Sequence, residues 1–482
     1  MKNILLIIAS TIISLIATFN ILLSNGSIIS ESIFQFGVLL WITAFLKPRT
    51  ALFLLICISP YLDLFKRILW IEQSISTEAI IKILLIPSLT VTILFIESLI
   101  STTTSKNDKF RKEYFRYFSI AMGLCFVNSI LILKSQGGIN LSALKEIANS
   151  AIYPTLIPVV YRLFPTREQF AKSISFVPLL IIPTIIYSLV QAKYGYADFE
   201  LGYLLEGWSI ESRQLGLAYP RPFSTYANPT AMGLIFVFGI GIYIYTQRAK
   251  KSKNTLFAFL YIALANLGIF FSATRKTWVA VIVFFIVDWA LQHRKRVYGV
   301  YAAGLMTVLG VFASTEFLLN NLNDFDKKYL TFNDPVKTQF LNIGTLENRI
   351  LGFHNFVYNP VMRPFIRFSP PDNPGTSKQA GRLSNKLGPV YSHDLLTRTI
   401  FAYGLLPVGI MLIGGGIILV KTTNRALRIN DDTTRCIIAL AISMFSVMLS
   451  GKSITLYPVN LFFWLMIAAT CLKKTNTKSI QT

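Results

Sequence analysis

The chain has 482 residues, 53% of them hydrophobic and only 14% charged, and its mean hydropathy is +0.55. An ordinary soluble domain is about a quarter charged, so this composition excludes one. The formal net charge of +23 would suit a nucleic-acid partner, but the cations sit between apolar runs, as membrane topology requires, and nucleic acid is excluded too.

Apolar runs of about 17–22 residues recur along most of the chain. Each is long enough to cross about 30 Å of hydrocarbon as a helix. In chain order they fall at roughly 3–23, 31–46, 50–64, 79–99, 117–133, 142–161, 173–192, 227–246, 255–272, 277–292, 297–318, 399–420, 435–451 and 456–472. The second and third are short, and 142–161 carries Lys145 and Glu146, so the expected count is about 12–14 spans. The first run has no obvious small-residue cleavage site and reads as a retained helix. Cys57, Cys125, Cys436 and Cys471 lie in or at the ends of apolar runs, without metal spacing or a disulfide framework. The expected fold is an all-α, polytopic integral membrane protein.

Orientation follows from the cations. With a cytoplasmic N-terminus and fourteen alternating spans, the inside connections are "KPR" (47–49), "KNDKFRKEYFR" (106–116), "RLFPTREQFAK" (162–172), "QRAKKSKN" (247–254), "HRKR" (293–296), "KTTNRALRINDDTTR" (421–435) and the tail "KKTNTK" (473–478). With Lys2 they hold about 25 Lys and Arg, against about nine in the short outside connections. That asymmetry places both termini in the cytoplasm. Four regions result: N-terminal transmembrane helices at 1–210, further helices at 211–318, a long extracytoplasmic loop at 319–398, and C-terminal helices with a cytoplasmic tail at 399–482. The long loop holds Pro360, Pro364, Pro370, Pro371 and Pro374, and a segment this long in a compact membrane protein is seldom a passive connector. Short amphipathic helices are plausible near 346–358.

The chemistry available outside the membrane is basic. Arg221 opens "RPFSTYANPTAMG" (221–233), Arg275 lies in the short turn of "FFSATRKTWVA" (270–280), and Arg349 lies in "LENRI" (346–350). Arg363, Arg367 and Arg382 follow in the long loop, and Lys66 and Arg67 lie in the first polar outside loop. Arginine offers a planar fork of donors matched to phosphate oxygens, so arginines gathered at the outer surface suit a lipid-borne pyrophosphate. Any one of them could equally contact lipid headgroups. Of the three histidines, His293 falls in a cytoplasmic basic cluster, while His354 and His393 fall in the long loop. His393 is the better base: Asp394 is adjacent, an apolar helix follows, and imidazole suits proton transfer near neutrality. No metal-binding motif, P-loop or Gly-x-Ser-x-Gly is present, so neither metal nor cofactor is expected. "GGG" at 414–416 reads as close helix packing. Asn228 is placed to cap the helix that begins at Pro229.

Three stretches, in order, resemble the O-antigen ligase and polymerase superfamily. "RPFSTYANPTAMGLIF" is similar to its Arg…Asn-Pro…Ala pattern at a helix mouth. "SATRKTWVAVIVFF" is similar to its arginine-bearing turn between two spans, and "HDLLTRTIFAYGLLPVGIML" to its histidine segment where the large loop re-enters the membrane. The likeness covers about 210–420. Asp394 stands where the family usually has asparagine, and "FSTYANPT" is looser than the usual Gly-Thr-Phe.

The resemblance implies a GT-C-like helical bundle in a bacterial inner membrane that takes glycans from undecaprenyl pyrophosphate on the extracytoplasmic side. It assigns pyrophosphate binding to Arg221, Arg275 and Arg349, and activation of the acceptor hydroxyl to His393. Acceptors would be a growing glycan or lipid A core, with a chain-length regulator and a flippase as further partners. Polymerase and ligase both remain open, within O-antigen, capsule or exopolysaccharide assembly. The rival from another class is a transporter, such as a flippase of lipid-linked glycans, which should show broken or charged helices at mid-membrane and related halves.

Overall fold

The computed structural model describes residues 28–73, 77–105, 107–135, 138–139, 141–205, 221–250, 255–293, 431–448 and 456–473, with isolated positions at 299 and between 405 and 427. Among the described residues the chain is mostly helical and has no strand. One isolated parallel bridge joins Thr166 to Lys473. The first helices are α1 (Ile28–Leu46), α2 (Pro48–Ile58), α3 (Leu62–Gln73), α4 (Thr77–Thr103) and α5 (Asp108–Ser135). Then come α6 (Leu141–Glu146), α7 (Leu156–Leu163), α8 (Arg167–Ile174), α9 (Val177–Tyr194) and α10 (Asp198–Leu205). The last are α11 (Pro229–Lys250), α12 (Thr255–Phe271), α13 (Arg275–Gln292), α14 (Asp432–Met448) and α15 (Val459–Ala469).

Two expected spans are broken. The run at 142–161 forms α6, a π turn at Ile147–Ala151, a 3-10 turn at Tyr153–Thr155, and α7. Pro154, which has no N–H for the helical ladder, lies at the break. The run at 50–64 stops at Ile58, and Pro60 sits in the turn before α3. Three stretches are long and apolar enough to cross a membrane: Leu85–Thr103, Arg167–Tyr194 and Pro229–Lys250. Shorter apolar helices lie at Phe34–Leu46, Pro48–Ile58, Leu256–Phe271 and Val459–Ala469. The runs at 3–23, 297–318 and 399–420, and the loop at 319–398, lie outside the described residues apart from isolated positions.

At the centre stands α11, which is apolar on every side, and 89% of its apolar window is buried. It packs against α8, α9, α12, α13, α14 and α15. Gly233 sets the approach of α13: a Cβ there would stand 2.7 Å from Thr277 Cγ2. The outward faces of the other helices are apolar too. Phe126, Leu256, Phe259, Leu260, Ile282 and Trp289 are all exposed. In water each would cost about 25 cal/mol per Å² of apolar surface.

The ion pairs gather at two ends. At one, Arg248 makes a bidentate pair with Asp288 at 2.7 and 2.6 Å, and Arg167 binds Asp431, Thr434 and the Thr470 carbonyl. Lys473 meets Glu113 at 2.8 Å, and Arg49 Nε donates to the Leu163 carbonyl at 2.9 Å. These contacts join connections that the charge alternation assigns to one side. At the other end, Arg67 meets Glu200, Lys66 lies over Tyr203, and Arg221 meets the 272–274 turn. Those connections are assigned to the opposite side.

Candidate functional site

The loop 221–228 is shaped by local chemistry. Tyr226 N–H donates to the Phe223 carbonyl at 3.0 Å, closing a tight turn. Ser224 sits at φ +53°, in the left-handed region that costs an L-residue about 1–2 kcal/mol. Asn228 Oδ1 accepts from Ala231 N at 2.8 Å, so the expected cap of α11 is present, with Pro229 as its first residue. Phe223, Ser224, Thr225 and Tyr226 are buried.

Beneath this loop lies a buried ionic network. Arg67 is 2% exposed; its Nη1 meets Glu200 Oε1 at 2.7 Å and its Nη2 donates to the Ser224 carbonyl at 2.6 Å. Its Nε donates to the Asp63 carbonyl at 3.3 Å, and its guanidinium lies 4.5 Å from the centroid of the Phe223 ring. Glu200 also accepts from Gln191 Nε2 at 2.8 and 2.9 Å and from Ala197 N at 3.2 Å. Gln191 Oε1 in turn accepts the Phe223 and Ser224 N–H groups at 3.1 and 2.6 Å. Ser224 Oγ donates to the Thr184 carbonyl at 2.6 Å. Burial pulls the Arg67 guanidinium below its ordinary value, and Glu200, then Asp63, push it back. A dense set of partners of this kind offsets the cost of burying the charges and holds the loop in a strained shape.

Arg221 lies above this network, half-buried. Its Nε donates to the Ser272 carbonyl at 3.2 Å. Its Nη2 reaches the Ala273 carbonyl at 3.3 Å and Thr274 Oγ1 at 3.0 Å. Tyr196 Oη donates to the Arg221 carbonyl at 3.0 Å. The turn it grips closes α12: Ser272 N and Ala273 N donate to the Gly268 and Phe270 carbonyls. Ala273 takes φ +49°. Among the described residues Ser224 and Ala273 are the two non-glycine positions with positive φ, and each lies in a motif turn. Strain at two facing turns is a mark of functional sites. Trp278 braces the turn from α13: its Nε1 donates to the Ile269 carbonyl at 3.0 Å and its ring stacks on Phe270.

Arg275 is the first residue of α13, immediately after Thr274. The structure therefore brings two of the expected arginine positions, Arg221 and Arg275, to one place. Arg349 and His393 lie outside the described residues, as do His354, Arg363, Arg367 and Arg382. The sequence singles out neither Glu200 nor Gln191, and it shows Arg67 only as a loop cation. The available signal was an acidic residue, Glu200, in the polar connection that leads into the motif.

The class of protein defined this far is a helical bundle with apolar outward faces and strained, arginine-bearing turns at one end. The chain matches no family model, no curated protein and no solved structure.

Proposed function

We propose that the protein is a multi-pass membrane glycosyltransferase of the O-antigen polymerase and ligase type. It would transfer or polymerise glycans from undecaprenyl pyrophosphate on the outer side of a bacterial inner membrane. The observation that carries this reading is the grip of Arg221 on the turn that ends one residue before Arg275. Two motifs about 50 residues apart in the chain thereby meet at one end of the bundle. The N-terminus of α13, which starts at Arg275, favours phosphate oxygens.

In this reading the arginines stabilise negative charge on the departing pyrophosphate, a preorganised electrostatic role. His393 accepts the proton of an acceptor sugar hydroxyl. The oxygen forms a bond to the anomeric carbon as the bond to the pyrophosphate oxygen breaks, and the pyrophosphate leaves with the electron pair. Arg349 is a third ligand for it. Membrane embedding is supported by the three long apolar stretches, the exposed apolar faces and the separation of the two sets of connections. The side assignment, with both termini cytoplasmic, is checked by reporter fusions at residue 375 and at the C-terminus; reporters on the same side would refute it.

A second reading, transport of a lipid-linked glycan, draws on the interrupted helix at 141–163 and the buried Arg67–Glu200 pair. One experiment separates the two. Purified protein in detergent is given a synthetic lipid pyrophosphate glycan and an acceptor glycan. Transfer or chain growth supports the enzyme, because detergent abolishes the two compartments that transport needs. No product, with donor still bound, supports the transporter.

A further inference from the structure

A second basic surface lies at the opposite end of the bundle from the motif turns. A cavity of about 390 Å³ opens between α2 and the α8–α9 turn. Ile56 and Phe170, both buried, line it. So do Phe53 and Phe176, whose ring centroids are 4.5 Å apart; Phe53 remains 45% exposed. Arg49 and Lys172 also line it. An adjoining cavity of about 230 Å³ shares Arg49 and adds Lys47 and Arg162.

The charge balance here differs from that of the rest of this end. Arg162 is neutralised by Glu97 at 3.3 Å. Arg49 bonds the Leu163 carbonyl at 2.9 Å and lies 5.8 Å from the Phe164 ring centroid, contacts that hold the side chain without cancelling its charge. Among the described residues no carboxylate pairs with Lys47, Arg49 or Lys172. The surface is thus a partly apolar slot beside Arg49 and Lys172, which no described carboxylate neutralises.

We infer that this cavity binds an anionic phospholipid of the cytoplasmic leaflet, with the phosphodiester at Arg49 and Lys172 and one acyl chain along Phe53, Ile56 and Phe176. A guanidinium and an ammonium supply charge-assisted donors to the phosphate. A zwitterionic headgroup brings an ammonium that the cations repel, and free phosphate has no chain to cover the aromatic wall. The inference rests on the membrane reading but not on glycosyl transfer.

The test uses the full chain purified in detergent. Thermal unfolding is followed while phosphatidylglycerol, phosphatidylethanolamine of the same chains, or inorganic phosphate is added. Phosphatidylglycerol alone should raise the midpoint. Each cation near an anionic head contributes about fivefold in affinity, so Arg49→Gln with Lys172→Gln should weaken the phosphatidylglycerol response by about 25-fold. Lys109→Gln with Lys112→Gln, exposed cations outside the cavity, should leave it unchanged. Equal responses to both lipids, a response to inorganic phosphate alone, or an unaltered response in the cavity variant would overturn the site. A measurement on the unmutated chain guards against misfolding. Phosphatidylglycerol with a photoreactive acyl chain should label peptides containing Phe53–Ile56 and Phe176 above other exposed apolar segments; even labelling would also overturn it. Loss of lipid selectivity with glycan transfer intact strikes this site alone, and absence of transfer with selectivity intact strikes only the enzymatic reading.

Discussion

The two ends of the bundle use arginine for different work. At the end assigned to the cytoplasm, Arg248 and Arg167 bind the carboxylates of Asp288 and Asp431, and Arg167 and Arg49 reach the Thr470 and Leu163 carbonyls where the backbone is unstrained, so these contacts fasten one helix or connection to the next. At the motif end, Arg221 and Arg67 reach backbone carbonyls of turns, at Ser272, Ala273 and Ser224. Those turns contain Ser224 and Ala273 in the left-handed region. A helix-to-helix ion pair contributes to stability and little else. A guanidinium laid across a strained turn fixes the shape of a surface, which is what a preorganised site requires. Arg67 does both, since it also pairs with Glu200.

The contrast is tested first where the largest effect is expected. His393, which the charge alternation assigns to the same side as the motif turns, should on the proposed reading act as general base and contribute about 10²–10⁴-fold in rate. His393→Ala should lose that factor while lipid-linked donor still binds, and His354→Ala, in the same loop, should be far milder. Only neutral imidazole accepts a proton, so activity should fall as acid protonates the histidine. A wild-type rate from His393→Ala would remove the assignment.

Arg67 comes next. Arg67→Met leaves the Glu200 carboxylate buried without its cation, a loss of about 3–5 kcal/mol. Replacing both with Met should recover part of that, although Gln191 and Ala197 still lose their acceptor. Denaturation of the two variants in detergent measures this. Equal stability of the single and double variants would mean that the pair is not the centre of the network.

Arg221→Ala and Arg275→Ala should each reduce transfer by about 10²–10³-fold, the usual cost of one preorganised electrostatic group. At position 221 lysine should rescue only partly, because a point charge cannot bridge Ser272, Ala273 and Thr274 together. Arg248→Ala, at the other end, should lower stability and leave the rate per folded molecule unchanged. If Arg248→Ala and Arg221→Ala behaved alike, the proposed difference between the ends would fail.

Much of this architecture was legible because its causes are local. The run at 227–246 became Pro229–Lys250, 255–272 became Thr255–Phe271, and 277–292 became Arg275–Gln292. The Asn228 cap was legible for the same reason, since donor and acceptor lie three residues apart. The break at 141–163 was only half visible. Lys145 and Glu146 mark the run as unusual, but the sequence does not tell whether Pro154 bends a helix or interrupts it. The Arg67–Glu200 pair was not legible, because its partners are 133 residues apart and no periodicity encodes which loop lies beneath which. The grip of Arg221 on the 272–274 turn was hidden likewise: sequence order suggested a shared face but not which groups bond.

The smallest effect tests the opposite end. Lys473 and, after it, Tyr161 hydrogen-bond the Glu113 carboxylate and hold it below its ordinary range. A depressed folded-state pKa gives stability that is fully present above the unfolded value, about 4.3, and is lost as pH falls through the folded one. The side chains of Lys473 and Glu113 are 60% and 34% exposed, so solvent screens the pair and its worth is at most about 1 kcal/mol. Glu113→Gln should therefore lower the unfolding midpoint by less than about 2 °C at neutral pH. The gap to wild type should close in acid, and shrink in high salt at neutral pH. A gap that persisted in acid would point to lost packing around Tyr161, not charge. No gap at any pH would mean that the 106–116 connection and the Lys473 segment do not meet in solution, and the separation of the two ends would lose one of its joints.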